Sequence, residues 1–94
     1  MELFSNDREF IKNLENIVNQ NMNNVMAITR MAMPHLSEMD FRLLCFLFSG
    51  FSAKAISVFT GDSTGNIYVR KSRLKKEISA IEAPESSFIL SQLA

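Results

Sequence analysis

This sequence predicts an all-α fold, and three observations carry that reading. Apolar residues recur at helical spacing in segment after segment, capping residues stand ahead of those segments, and no stretch alternates for more than a few positions. Three glycines and two prolines in 94 residues supply too little turn material for a many-turned sandwich or barrel. The length suits one domain. A content of 47% hydrophobic and 21% charged residues is that of a folded chain rather than a disordered one.

The first helical region carries Phe10, Leu14, Ile17, Val18, Val25 and Ile28 on one face, with Ser5 or Asn6 as its N-cap. The tract Gln20-Asn21-Met22-Asn23-Asn24 interrupts it, because asparagine side chains compete for nearby backbone groups. The region reads either as one helix over about 6–32 or as two helices broken near 21–24, the second capped by Asn24. Pro34 closes it. Residues 1–34 are therefore expected to be a helical extension ahead of a domain at 35–94. Met22, Met26, Met31, Met33 and Met39 read as adaptable core filler.

Ser37 opens the next helix, with Glu38 and Asp40 in its first turn complementing the helix dipole. From Phe41 to Phe48 the helix is apolar almost all round, which predicts a central, covered position. Gly50 ends it. Ser52 then caps a two-turn helix stopped by Gly61, and Asp62 or Ser63 caps a longer one reaching about Ser79. On that longer helix Ile67, Leu74 and Ile78 form an inward stripe. Gly65, Val69, Ser72 and Lys76 lie opposite, with Arg73 alongside. Pro84 permits a last helix over about 85–93, whose Phe88, Ile89, Leu90 and Leu93 either pack inward or form a seam for a second copy.

Ten basic and ten acidic residues give a net charge of zero, yet the charge is unevenly placed. Arg70, Lys71, Arg73, Lys75 and Lys76 put half of the positive charge into residues 68–76, with no acid among them. A local basic patch on a neutral body fits a solvated helix face or a small DNA-reading domain. A short helix, a tight glycine link and a basic amphipathic helix form the layout of a helix-turn-helix. If all five cations met phosphates, the log–log salt slope of binding would be roughly −4.5.

Residues 36–78 resemble the LuxR-type (GerE-like) helix-turn-helix, the effector domain of many bacterial transcription regulators. The matching residues are Leu36-Ser37, Glu38, Asp40, Leu43-Leu44, Gly50-Phe51-Ser52, Lys54, Ile56, Gly61, Ser63, Ile67, Ser72, Leu74, Lys76 and Ile78. Gly-Phe-Ser-x-Lys-x-Ile and Arg-Lys-Ser-Arg-Leu-Lys-Lys are similar to the version that ends tetratricopeptide-containing and sensor regulators of the Bacteroidetes, and Met33-Pro34-His35-Leu36 looks like the segment preceding it there. The resemblance implies a four-helix domain that binds double-stranded DNA, with a final helix that often supports a homodimer. It implies that Lys54 and Ser63 reach phosphates, that the Asn66, Val69, Arg70 and Arg73 face lies along the major groove, and that Lys76 adds a backbone contact.

The chain departs from the family pattern at Thr60 and Asp62, where aliphatic residues are usual, with Phe59 placed to fill the space beside Thr60. Gly65 weakens the helix start, Val69 stands where a basic residue is frequent, and Val58 is apolar where the family is often charged. These departures bear on DNA reading more than on the fold. They support an alternative of a different class, a helical protein–protein adaptor that keeps the helix-turn-helix but has lost DNA reading. A sigma-factor-like promoter reader would share the same layout.

No enzyme is expected. The single cysteine, Cys45, cannot build a multi-thiolate metal site and, in the most apolar helix, reads as a small buried hydrophobe rather than a redox sensor. His35 has no Cys partner and no second His, so neither a metal site nor a catalytic dyad is expected. Glu38 and Asp40 read as helix-start residues rather than an acid–base pair. No phosphate-binding loop or nucleophile motif occurs, and no cofactor or small-molecule substrate is anticipated. No apolar run reaches membrane-spanning length, and the acidic start, Glu2 to Glu9, is unlike a secretory leader. A reducing cytoplasm is the expected setting.

Overall fold

The asparagine tract resolves the first ambiguity in favour of two helices. In a computed structural model, which describes residues 8–93, α1 spans Arg8–Asn21 and α2 spans Val25–Ala32. Asn23 and Asn24 both take left-handed backbone angles, with φ of 55° and 63°, a conformation that asparagine tolerates better than most residues. Asn24 holds the expected N-cap position of α2, but its side chain makes no capping bond. Asn19 supplies the cap from the preceding helix, its Oδ1 accepting from the Met26 and Ala27 amides at 2.9 and 3.2 Å. The proposed first caps, Ser5 and Asn6, lie outside the described residues.

Four further helices follow: α3 (Glu38–Phe48), α4 (Ala53–Thr60), α5 (Thr64–Ser79) and α6 (Glu85–Gln92). The described residues form an all-α fold and contain no strand. Ser37 and Asp40 close a capping box at the start of α3. The Asp40 amide donates to Ser37 Oγ at 3.1 Å and the Ser37 amide to Asp40 Oδ2 at 3.4 Å. At the other end, Gly50 at φ 90° permits a Schellman turn. The Gly50 amide donates to the Leu47 carbonyl and the Phe51 amide to the Phe46 carbonyl. The apolar contact that accompanies such a turn is the Phe46–Phe51 ring pair, 5.5 Å between centroids.

Phe59 stacks on Phe46 at 5.6 Å and lies 5.5 Å from Phe51. The three rings fasten α4 to the end of α3. As its pattern predicts, α3 is central: Phe41, Leu43, Leu44, Cys45, Phe46 and Phe48 are all buried, and it packs on α1, α2 and α5. Burial pushes the Cys45 thiol up to about 12, as befits a small core hydrophobe.

The core runs without interruption from α1 and α2 into the later helices, across the expected boundary at 34/35. Met26 and Met33 fill its interior, while Met31 and Met39 are exposed, so the methionine run divides between core and surface. Arg30 of α2 secures the junction. It donates to Glu15 of α1 at 2.7 and 2.9 Å, to Glu38 of α3 at 2.9 Å, and lies 4.4 Å over the Phe41 ring. The two carboxylates raise the Arg30 pKa further, and the guanidinium in turn holds the Glu38 carboxyl below its usual range. α6 folds back on α2 and α5. Its Ile89 and Leu93 are buried in the chain's own core, Phe88 and Leu90 are half-buried, and Ser86 Oγ donates to the Ile78 carbonyl at 2.8 Å.

Candidate nucleic-acid interface

Local chemistry sets the relation of α4 to α5. Gly61 takes φ 80° and ends α4, a left-handed position that costs a residue with a Cβ roughly 1–2 kcal/mol. The Asp62 amide then donates to Thr60 Oγ1 at 3.2 Å. Of the two candidate caps, Ser63 is the one used: its Oγ accepts from the Asn66 amide at 3.1 Å. α5 lies against α3, α4 and α6, with Ile67, Leu74 and Ile78 fully buried.

The opposite side of α5 is open to solvent along its length. Gly65, Asn66, Val69, Ser72, Arg73 and Lys76 are exposed, and Tyr68 and Lys75 flank them. Val69 is 67% exposed, a large share for an apolar side chain on a helix that packs on three others. Tyr68, Val69, Ser72, Arg73 and Lys76 together line a shallow surface depression. Lys54 is exposed in the first turn of α4. Of the seven residues expected at a DNA surface, Asn66, Val69, Arg73 and Lys76 share this outer face.

Arg70 does not lie on it, which corrects the expected groove face. Its side chain is only 18% exposed and turns toward α3 and the α4–α5 link. It donates to Asp62 Oδ2 at 3.0 Å and to the Met39 carbonyl at 3.1 Å, with Asp40 Oδ1 at 3.8 Å. Arg73 remains half-exposed, yet both of its terminal nitrogens are engaged. One donates to Asp40 Oδ1 at 2.7 Å and the other to Glu77 Oε2 at 3.0 Å. Glu77 also stands 3.6 Å from His35 Nε2. The negative charge of Asp62 is thus answered by Arg70, and Asp40 serves both arginines from α3.

The lysines differ. Lys54, Lys71, Lys75 and Lys76 form no ion pair with any described carboxylate. Four ammonium groups are therefore available to an external anion, and three of them lie on α5. Ser63 Oγ, expected at a phosphate, is occupied as acceptor by its capping bond and can approach an anion only through its O–H.

Asp40 and Arg30 are the residues whose roles local reading missed. Asp40 carried a correct local signal as a first-turn acid, but its arginine partner is 33 positions away. Arg30 offered no local signal, since Glu15 is 15 positions away and on another helix. Among the described residues no group of acidic, histidine or cysteine side chains could hold a metal ion, and no helix is long and apolar enough to cross a membrane. No family model, curated protein or solved structure matches the chain.

Proposed function

We propose that this chain is a helix-turn-helix DNA-binding module of a transcription regulator, with α5 entering the major groove. One observation carries the reading: α5 buries a complete apolar stripe against three helices while its opposite face stays solvent-exposed, apolar-to-basic and edged by unpaired lysines. A helix held in that way is narrow enough for the groove, and lysines at its flanks and on α4 suit the phosphate backbone. The resemblance of residues 36–78 to the LuxR-type domain points the same way, as does the α4–Gly61–α5 arrangement. On this reading the lysines supply the phosphate contacts. The C-terminal helix supports a homodimer only through Phe88 and Leu90, since Ile89 and Leu93 are used within the chain.

A titration of duplex DNA at low and moderate salt tests the proposal. Binding with a log–log slope near −3.6, from four lysines at about 0.9 each, is the expected result. Replacing Lys54, Lys75 and Lys76 with Ala should remove most of both affinity and slope. Absence of binding at low salt, or binding indifferent to that triple change, sinks the reading.

The adaptor alternative is favoured by a separate observation, the commitment of both α5 arginines to carboxylates together with the exposure of Met39, Val58, Tyr68 and Val69. A protein partner retained by the lysine triple variant and lost when Val58 and Val69 become Asp would support it.

A further inference from the structure

The same ion pairs that anchor α5 also restrict what its outer face can read. Guanine is recognised chiefly by a bidentate donor pair on O6 and N7, from an arginine or a lysine within reach of the base edges. The arginines of α5 are Arg70 and Arg73. Arg70 is turned inward onto Asp62 and Met39, and both terminal nitrogens of Arg73 are held by Asp40 and Glu77. Base contacts come from the first turns of a recognition helix, where Asn66, Tyr68 and Val69 are exposed and Lys71 is half-buried. At 100° per residue Asn66 and Val69 share the outer face, whereas Tyr68 and Lys71 lie on the other flank, nearer the Ile67 stripe. Lys76 stands roughly 15 Å further along the axis, at 1.5 Å per residue, where a backbone contact is the natural use.

We propose that the outer face of α5 selects A·T pairs in the major groove, Asn66 reading adenine and Val69 the thymine methyl, with no guanine-reading group. This rests on the DNA-binding reading above. An asparagine amide matches the N6 donor and N7 acceptor of adenine, and an aliphatic side chain packs on the C5-methyl of thymine. Asn66 and Val69 are three residues apart, about 4.5 Å along the axis, comparable to a base-pair step of about 3.4 Å. Lys54, Lys71, Lys75 and Lys76 add charge complementarity without sequence preference. Arg70 and Arg73 act as positioning residues that fix the angle of α5 on α3.

The test is an anisotropy titration of the full chain, at one salt concentration, with three duplexes of equal length. One is alternating A·T, one alternating G·C, and the third is the A·T duplex with every thymine replaced by uracil. The A·T duplex should bind roughly tenfold more tightly than G·C. Loss of the methyl should weaken binding roughly three- to fourfold. Asn66→Ala should narrow the A·T over G·C ratio, and Val69→Ala should erase the thymine–uracil difference. Both positions are exposed, so unchanged melting temperatures would show that these variants fold. Equal, salt-sensitive binding to all three duplexes overturns A·T reading and leaves DNA binding standing. An A·T preference blind to uracil overturns the major-groove assignment, and a G·C preference overturns the positioning role of the arginines. No binding to any duplex overturns this inference together with the function on which it rests.

Discussion

Arg73 of α5 donates to Asp40 of α3 at 2.7 Å, and the same Asp40 oxygen stands 3.8 Å from Arg70. Asp40 is buried and also completes the capping box of α3. One carboxylate therefore starts the central helix and fixes the orientation of the helix proposed to read DNA.

Asp40→Ala removes the acceptor of the Ser37 amide and the acceptor shared by the two arginines, while the Ser37 cap on the residue-40 amide remains. A stability loss of about 1.5–3 kcal/mol is expected from the lost charge-assisted hydrogen bonds. Arg73→Ala should cost under about 1 kcal/mol, since Arg73 is half-exposed. Urea unfolding of both variants checks this, and equal losses would show that Asp40 does no more than pair with Arg73.

Arg30→Met breaks the clamp among α1, α2 and α3, leaving Glu15 half-buried without its cation. A loss of about 1–3 kcal/mol at neutral pH is expected, the range for stranding a partly buried polar group. The pH dependence follows from Glu38, whose folded pKa is lowered from 4.5 by its hydrogen bond to Arg30. Its stabilising share is complete above 4.5 and is lost as pH falls through the lower folded value. Unfolding measured at neutral and acid pH should show a smaller acid-induced loss in Arg30→Met than in the parent chain. An identical acid loss in both would count against the clamp.

Asn19→Ala deprives α2 of its cap. The Met26 and Ala27 amides lose their acceptor, and about 1–2 kcal/mol of stability should go with it. Asn24→Ala also costs stability, through its left-handed φ rather than through a bond. Native-state hydrogen exchange separates the two: the Met26 and Ala27 amides should lose protection selectively in Asn19→Ala.

Cys45 should resist alkylation by iodoacetamide at pH 8 until the chain unfolds, because burial disfavours the thiolate. A thiol pKa pushed up from 9.0 to about 12 favours the fold at and below pH 9. That contribution is lost as pH rises from 9 toward 12, where the unfolded chain ionises and the folded one does not. Cys45→Ala should lose less stability than the parent over that alkaline interval. Rapid labelling of the native protein at pH 8 would overturn the assignment.

Much of the fold was legible because its signals are local. Ser37, Ser52 and Ser63 bond amides three residues on, and Gly50 and Gly61 take the positive φ expected of helix ends. The 67, 74, 78 stripe is buried as its spacing requires. Asn24 stands at the N-cap of α2 as expected, but the side-chain acceptor there was not legible, because Asn19 reaches across a turn that its own sequence neighbours do not announce. In the candidate interface, helical periodicity placed Val69 and Lys76 opposite the buried stripe with Arg73 alongside, and the family resemblance added Asn66 and Arg70. Asn66 lies on the outer face, but Arg70 does not, since periodicity puts it at the margin between faces and only its partners decide which way it turns.

By itself, then, the sequence determined where helices start and stop and which stripe of each is apolar, because capping and amphipathicity act over a few residues. The tertiary structure alone decided which charges remain available. Asp40 and Asp62 meet Arg70 and Arg73 only after α3, α4 and α5 have packed, whereas Lys54, Lys71, Lys75 and Lys76 find no such partner among the described carboxylates. A cation's use depends on the carboxylates within about 4 Å of it in space, and no spacing along the chain encodes that distance.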